Sequence, residues 1–94
     1  MTWWVYIVQC KDQTLYTGVT TDLERRLQEH NGKGPTSIRG AKYTRVRRPV
    51  RLVFEEPCEN RSKACKREAA IKKLTRLNKL SLISNNITIN TNLI

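Results

Sequence analysis

Two tyrosines and a glycine near the start of the chain are spaced so that a hairpin would bring them together. Tyr6 and Tyr16 flank the polar turn Lys11-Asp12-Gln13. If the turn has three residues, Tyr6 pairs with Gly18 and the two tyrosines become diagonal neighbours on one face, about 7–8 Å apart. A two-residue turn would put them on opposite faces. Because Gly18 would leave room for another group to approach the Tyr6 ring, this face is a candidate site.

An arginine and a histidine lie on the apolar face of the first expected helix. At about 100° per residue, Arg26 and His30 share a stripe with two leucines, whereas Arg25 and Glu29 face away and can pair. An unpaired charge at the edge of an apolar face is costly, so Arg26 is where a charge retained for function is expected. The structural alternative is a snorkelling arginine beside a core histidine whose N–H is satisfied.

A lone carboxylate interrupts the second long helix. Glu68 is the only acid between Arg61 and Lys79, a span that holds eight basic residues, and it shares a face with apolar side chains. A carboxylate in that position needs a partner. The partner is either an arginine, for which Arg26 is the candidate, or a divalent metal ion.

The charge balance predicts an anionic partner. The 94 residues carry a formal net charge of +10, and six basic residues occur from Arg39 to Arg51 without an acid among them. Such an excess favours nucleic acid, an acidic protein or a membrane surface. The basic segment is either a solvated loop or a sequence-independent contact surface for the DNA backbone, with a tyrosine on which an unpaired base could stack. The candidate DNA-binding residues are Arg39, Lys42, Tyr43, Arg45, Arg47 and Arg48.

The order of elements predicts an α+β domain, a small three-stranded antiparallel sheet flanked by helices. Strands are expected at 3–10, 14–19 and 50–55. The first should be central, because it is apolar on both faces, and Pro57 should end the third.

Capping side chains place three helices along the chain. The expected spans are 21–30, with Thr21 and Glu24 as a capping box, then 60–74 with Asn60 or Ser62 as the N-cap, then 75–83 with Thr75 as the N-cap. Residues 1–83 then form one domain, and the uncharged, Asn- and Thr-rich residues 84–94 are expected to be a disordered tail.

The cysteines indicate a reducing compartment. Cys10, Cys58 and Cys65 match no zinc-ligand spacing with the one histidine, and they predict reduced thiols in a cytoplasmic protein. The apolar run at 3–8 is too short to span a membrane, and no basic residue precedes it as in a signal peptide.

Four groups of residues, taken in order, resemble the GIY-YIG nuclease superfamily. They are Val5-Tyr6-Ile7, Tyr16-Thr17-Gly18, the run from Asp22 to Leu27, and Glu68. The resemblance covers about residues 2 to 83 and is strongest to small stand-alone members. It implies a three-stranded antiparallel sheet flanked by helices, and an enzyme that cuts DNA phosphodiester bonds with one divalent metal ion.

The resemblance also implies a role for each candidate catalytic residue. Glu68 would hold Mg²⁺ or Mn²⁺, which would keep much of its hydration shell and stabilise the leaving oxygen. Tyr6 would take a proton from the attacking water, its pKa lowered by the metal and nearby cations, while Tyr16 would orient that water or the phosphate. Arg26 would clamp the scissile phosphate. His30 would hydrogen-bond a phosphate oxygen or shuttle a proton.

The sequence departs from the family pattern at two positions. Val5 stands where the first motif has its glycine. Many members also place an asparagine near the metal, for which Asn78 is the candidate here. Neither departure removes a catalytic group.

The sequence therefore predicts a monomeric, metal-dependent endonuclease that acts on branched, flapped or single-stranded DNA in repair or recombination. A chain of this length leaves no second module to read a specific duplex site. The alternatives are a nucleic-acid-binding module with a weak or inactive nuclease site, and a basic adaptor for an acidic protein partner.

Overall fold

Three antiparallel strands, ordered β2-β1-β3, form the sheet of this domain. The structure is a computed structural model that describes the backbone of residues 1–92 and the side chains of residues 1–85. The strands are β1 Trp3–Gln9, β2 Leu15–Thr20 and β3 Arg51–Cys58. The helices are α1 Leu23–His30, α2 Lys42–Arg45, α3 Arg61–Lys72 and α4 Arg76–Asn92, with a 3₁₀ turn at Ser37–Arg39 before α2. The predicted α+β class and antiparallel sheet are confirmed.

β1 is central because both of its faces are apolar. On one face Val5 and Ile7 pack with Phe54 of β3, and also with buried isoleucines of α3 and α4. On the other face Tyr6 and Val8 pack against leucines of α1. The sheet therefore separates two apolar layers, and the tyrosine lies in the layer that α1 covers.

The β1–β2 turn has three residues, which sets the register of the hairpin. Gln13 adopts φ 72°, the left-handed conformation that closes a three-residue loop. Tyr6 pairs with Gly18 and Val8 with Tyr16. The two tyrosines are thus diagonal neighbours on one face, as the three-residue turn predicted.

Gly18 is required by the tyrosine opposite it. A Cβ at Gly18 would lie 2.5 Å from Oη and 2.7 Å from Cζ of Tyr6, which is too close for any side chain. The space that the sequence suggested for an approaching group is therefore filled by the Tyr6 ring itself.

The N-cap of α1 is Asp22, and the prediction of a capping box at Thr21 and Glu24 is wrong. The Asp22 carboxylate accepts the Arg25 N–H at 3.0 Å. This one-residue shift puts Glu24 at the second helical position, from which a side chain does not complete a capping box. Asn60 caps α3 as expected, accepting the Lys63 N–H at 2.9 Å.

Two predicted ends also differ from the structure. β3 continues through Pro57, because it is an edge strand and a residue without an N–H is tolerated there. α4 continues to Asn92 instead of ending near Ile83, and residues 84–92 contain no glycine or proline to stop it. Residues 93 and 94 lie outside the described residues, and the division between domain and tail stays a prediction.

Among the described residues, no helix has the length and apolar character needed to cross a membrane.

Candidate active site

His30, the last residue of α1, is the middle of a buried hydrogen-bonded chain. Its Nε2 lies 2.7 Å from Oη of Tyr6, and its Nδ1 lies 2.8 Å from Oγ1 of Thr44. All three side chains are 2% exposed or less. Three separate elements, β1, α1 and α2, are therefore joined at one imidazole.

A further hydrogen bond, made by the Thr44 hydroxyl, determines which atom carries the hydrogen at each step of this chain. Thr44 Oγ1 donates its one hydrogen to the Ala41 carbonyl at 3.0 Å, so it must accept from His30. His30 therefore carries its hydrogen on Nδ1, and its unprotonated Nε2 accepts from the Tyr6 hydroxyl. Every donor in the chain points the same way, from Tyr6 through His30 to Thr44.

Burial keeps both titratable members of the chain neutral. Desolvation, reinforced by the charge of Arg26, lowers the pKa of His30 to about 4. Desolvation raises the pKa of Tyr6 to about 12, although the nearby Arg26 guanidinium opposes it. The nearby cation thus lowers the pKa as expected, but burial outweighs it and the net shift in the protein alone is upward.

The burial of His30 excludes one of its two predicted roles, a hydrogen bond to a phosphate oxygen, and allows the other, proton transfer. The ring has no exposed surface, and both of its nitrogens are already hydrogen-bonded inside the protein. A direct hydrogen bond to a substrate phosphate is therefore not available to it. A proton-shuttling role remains open, since Nε2 is a free base that faces a hydroxyl donor.

His30 should make the fold sensitive to acid. Its pKa falls from 6.5, the ordinary value that the unfolded chain keeps, to about 4 in the folded chain. Below pH 6.5 the unfolded state binds a proton that the folded state does not. The contribution of His30 to the free energy of unfolding should be fully present above pH 6.5. It should fall by on the order of 3 kcal/mol as the pH drops to about 4.

Urea unfolding between neutral pH and about pH 4 tests this expectation, with His30→Gln as the comparison that removes the titrating group. The wild type should lose stability more steeply than the variant over this range. Because the chain has one histidine, its imidazole NMR signal also reports the pKa directly. A titration midpoint near the ordinary histidine value would contradict the prediction.

Tyr16 also contacts His30. The two ring centroids are 5.2 Å apart at an interplanar angle of 65°, and the Tyr6 ring meets the same imidazole at 5.8 Å and 64°. Tyr16 is partly exposed, and its hydroxyl makes no hydrogen bond within the described part of the chain. The structure thus brings Tyr6, Tyr16 and His30 together and leaves the Tyr16 hydroxyl accessible to a ligand.

Arg26 adjoins this centre and is held by a buried carboxylate. Its Nη1 donates to Glu29 Oε1 at 2.9 Å and to the Arg39 carbonyl at 2.8 Å, and its positive charge acts to lower the pKa of Tyr6. Glu29 is 3% exposed, so its predicted solvent-facing position is wrong. Burial opposes ionisation of Glu29, yet hydrogen bonds from Thr36 and Arg26 lower its pKa. A charged Glu29 therefore orients Arg26.

Glu68 lies on α3, near enough for its charge to raise the pKa of Tyr6. Its side chain is 22% exposed, with Oε2 3.3 Å from Nζ of Lys72. Arg26 pairs with Glu29 rather than with Glu68, so the predicted structural ion pair between Arg26 and Glu68 does not form. The carboxylate is partly accessible and lies within electrostatic range of Tyr6.

The residues around Glu68 restrict the kind of metal ion that fits. Within the described residues, no three or more His, Cys, Asp or Glu side chains form a metal-binding group. A metal at Glu68 would therefore take most of its ligands from water and from the substrate, as Mg²⁺ commonly does. Asn78 is exposed in the first turn of α4, and its N–H donates to Thr75 Oγ1, so the structure does not join it to this site.

Three arginines of the basic segment make contacts within the protein. Arg45 donates to the Gly40 and Ile38 carbonyls of the preceding loop at 3.2 and 2.8 Å. Arg48 donates to the His30 carbonyl at the end of α1 at 2.7 Å, and Arg47 forms an ion pair with Asp12 at 3.0 Å. These contacts satisfy carbonyl groups and connect the segment to α1 and to the β1–β2 turn, a structural role that charge counting does not reveal.

The other predicted DNA-binding residues remain on the surface. Arg39 and Lys42 have exposed side chains, which make no hydrogen bond or ion pair within the described residues. Tyr43 is 37% exposed, stacks on Tyr16 at a centroid distance of 5.9 Å, and lies 4.0 Å from the Arg47 guanidinium. Its ring is therefore already part of a stack that begins at the candidate active site.

Thr44 was not among the predicted site residues. The signal in the sequence was weak, because Thr44 is one of seven uncharged residues between Arg39 and Arg51. Its role appears only when α2 places the hydroxyl beside His30, so we describe Thr44 as a positioning residue.

Replacing Thr44 with valine should disturb the tautomer of His30. The isosteric change leaves the buried Nδ1–H without an acceptor, which should destabilise the fold by about 1–3 kcal/mol. The ring can then move its hydrogen to Nε2, where it no longer accepts from Tyr6. Imidazole ¹⁵N shifts should report this change in Thr44→Val, and Thr44→Ser should retain the wild-type shifts. Unchanged shifts in the valine variant would contradict the assignment.

Comparison with known proteins identifies the family of this site. The GIY-YIG catalytic domain family matches residues 2–81. A UPF0213 protein of Desulfotalea psychrophila is 57% identical over 81 residues, covering 86% of this chain and 70% of that protein. A UPF0213 protein of Clostridium perfringens is 54% identical over 81 residues, covering 86% and 82%.

Two solved structures resemble the chain as well. The solution NMR structure of EF2693 from E. faecalis has a TM-score of 0.62 and 44% identity, covering 94% of this chain and 88% of that one. The solution NMR structure of the UPF0213 protein BH0048 from Bacillus halodurans has a TM-score of 0.55 and 43% identity, covering 89% and 84%. With the family match over most of its length, this chain belongs to the GIY-YIG nuclease superfamily.

Proposed function

We propose that this protein is a metal-dependent DNA endonuclease whose active site comprises Tyr6, Tyr16, Arg26, His30 and Glu68. One observation carries the proposal: the Tyr6 hydroxyl donates to the unprotonated Nε2 of His30 at 2.7 Å. Any acceptor would satisfy a buried tyrosine hydroxyl, whereas an imidazole nitrogen can also take its proton. Here the base is internal, neutral and fixed in one tautomer by Thr44.

The proposed reaction passes a proton along this chain. A water molecule attacks the phosphorus as its proton moves to Oη of Tyr6, while the proton already on Tyr6 moves to Nε2 of His30. The new P–O bond replaces the bond to the leaving 3′ oxygen, which is protonated from solvent. Because Tyr6 accepts one proton as it donates another, no free phenolate of high pKa has to form.

Arg26 would link phosphate binding to the basicity of His30. Its guanidinium is the natural clamp for the scissile phosphate, since it can present two parallel donors. In the protein alone its charge helps to depress the pKa of His30. A phosphate bound to Arg26 offsets that charge, so His30 becomes a stronger base when substrate is present. Tyr16, whose hydroxyl is accessible, would orient the attacking water or a phosphate oxygen.

Glu68 is the residue that would hold Mg²⁺ or Mn²⁺. When bound, such an ion supplies positive charge that stabilises the leaving oxygen. The remaining residues position the phosphate and the water without contributing further metal ligands, consistent with an ion that keeps several waters.

The substrate would be branched, flapped or single-stranded DNA, handled by a monomer in repair or recombination. Arg39 and Lys42 are the accessible basic side chains for phosphate contacts, and Arg45, Arg47 and Arg48 shape the surface around them. Such contacts carry little sequence information. The three unpaired cysteines suit a reducing compartment, so we place the protein in the cytoplasm.

Cleavage of a panel of labelled DNAs tests the proposal. The panel contains a single strand, a duplex, a flap, and three- and four-way junctions, each incubated with Mg²⁺, Mn²⁺ or EDTA. Metal-dependent cleavage of at least one substrate is expected. Tight, salt-sensitive binding that EDTA does not affect, without cleavage of any DNA, would instead favour the binding-module alternative. An absence of salt-sensitive DNA binding would favour the adaptor alternative.

A further inference from the structure

A cleft beside the proposed active site has no assigned ligand. It lies where the start of β1, the end of β2, α1 and the 3₁₀ turn meet, and its volume is about 300 Å³. Its lining includes Trp3, Thr21, Arg25, Arg26, Glu29 and Arg39. A space of this size is at the lower end of small-ligand sites and suits one nucleotide rather than a duplex.

The charges that line the cleft favour an anion. Three arginines face one carboxylate, which leaves a formal excess of two positive charges. That carboxylate, Glu29, is buried and already accepts from Arg26 at 2.9 Å and from Thr36 at 2.6 Å. Arg25, half exposed and 3.6 Å from Glu29, and Arg39, which is exposed, therefore keep guanidinium donors for a ligand.

An aromatic wall completes the cleft. Trp3 is partly exposed at the start of β1 and is one of the lining residues, and the Arg61 guanidinium of α3 lies 5.9 Å from its ring. Nucleobases stack on aromatic side chains whatever their sequence, whereas guanidinium groups bind phosphate. An indole and several guanidinium groups in one small cleft therefore match the two halves of a nucleotide.

Arg26 joins the cleft to the proposed active site. It lines the cleft and lies one helical turn before His30 on α1. We propose that the cleft binds one unpaired nucleotide next to the scissile phosphate, with its phosphate on Arg25 and Arg39 and its base against Trp3. This inference rests on the proposed function and adds a substrate requirement, because a fully paired strand does not present such a nucleotide.

Binding of a fluorescein-labelled single-stranded oligothymidylate in EDTA tests the cleft without cleavage. The double variant Arg25→Gln/Arg39→Gln should weaken binding roughly tenfold and lower the salt-dependence slope by about 1.4, the value for two lost phosphate contacts. The matched control, Lys66→Gln/Lys73→Gln, removes two charges from exposed positions on and just after α3. It should weaken binding less than about threefold. Thermal unfolding of both double variants verifies that they are folded.

Equal losses in the two double variants would show general charge attraction and overturn the proposal. In a Trp4→Phe background, the emission of Trp3 should be quenched when the oligonucleotide binds. Unchanged emission at saturation would overturn the base contact. A wild-type protein that binds no DNA would refute the proposed function itself, whereas a wild type that binds and cleaves DNA with equal losses in both pairs would refute the cleft alone.

Discussion

Tyr6→Phe is expected to lower the single-turnover cleavage rate by about 10²–10⁴-fold, the range for loss of a general acid–base group. The phenylalanine ring keeps the packing against Gly18 and within β1, so only the hydroxyl is lost. His30 then has no donor at Nε2, and the attacking water loses the group that takes its proton. The free energy of unfolding should fall by about 1–3 kcal/mol, the cost of a buried acceptor left without a donor.

Tyr43→Phe is the matched control for this prediction. The Tyr43 ring stacks on Tyr16, and its hydroxyl makes no hydrogen bond within the described residues. Removing that hydroxyl should therefore change the cleavage rate little. Similar rates for Tyr6→Phe and the wild type, measured with saturating protein, would show that the Tyr6–His30 hydrogen bond serves stability alone.

Glu68→Gln should abolish metal-dependent cleavage, with a loss of about 10³-fold or more, the scale for removing a preorganised electrostatic group from an active site. Glutamine preserves the shape of the side chain but removes the charge that would hold the ion. The pair with Lys72 is of the i,i+4 type, so its loss should destabilise α3 by only about 0.3–0.5 kcal/mol.

Metal binding gives a readout of Glu68 that does not depend on activity. Adding Mn²⁺ to the wild type should broaden NMR signals near Glu68, including those of Tyr6 and Gly18, and the glutamine variant should lose this effect. Glu24→Gln, which neutralises an exposed carboxylate on α1, serves as the control and should behave like the wild type. Broadening that persists in Glu68→Gln would place the metal elsewhere.

The hairpin was the part of the site that sequence could predict. The apolar pattern on both faces made β1 central, and the position of Gly18 opposite Tyr6 was correct once a three-residue turn was assumed. These features depend on neighbouring residues and on the alternation of side chains along strands. The reason for the glycine was wrong, because the tyrosine ring fills the space above it.

Two of the contacts that sequence missed involve the segment between α1 and β3. Glu29 faces away from the apolar stripe of α1, and only the return of Thr36 over the helix buries it. Thr44 gains its role because α2 packs against His30. Helical periodicity describes one element at a time and cannot show which loop covers its polar side.

The charge pattern likewise overstated the number of basic side chains available to a ligand. Arg45 and Arg48 donate to backbone carbonyls, and Arg47 pairs with Asp12. The carbonyl groups of an irregular loop and of a helix C-terminus both need donors, and arginine supplies several from one side chain. The sequence counts these residues as cations available to a ligand, whereas the structure shows them in contacts within the protein.

The most direct measurement is cleavage of the preferred DNA of the panel by wild type, Tyr6→Phe and Glu68→Gln, purified side by side and assayed with Mg²⁺ and with EDTA. We expect the wild type to cleave with Mg²⁺ and not with EDTA. Both variants should lose at least about 10²-fold in cleavage rate while they retain DNA binding. Cleavage that persists in EDTA, or in both variants at the wild-type rate, would contradict an active site built from Tyr6, His30 and Glu68.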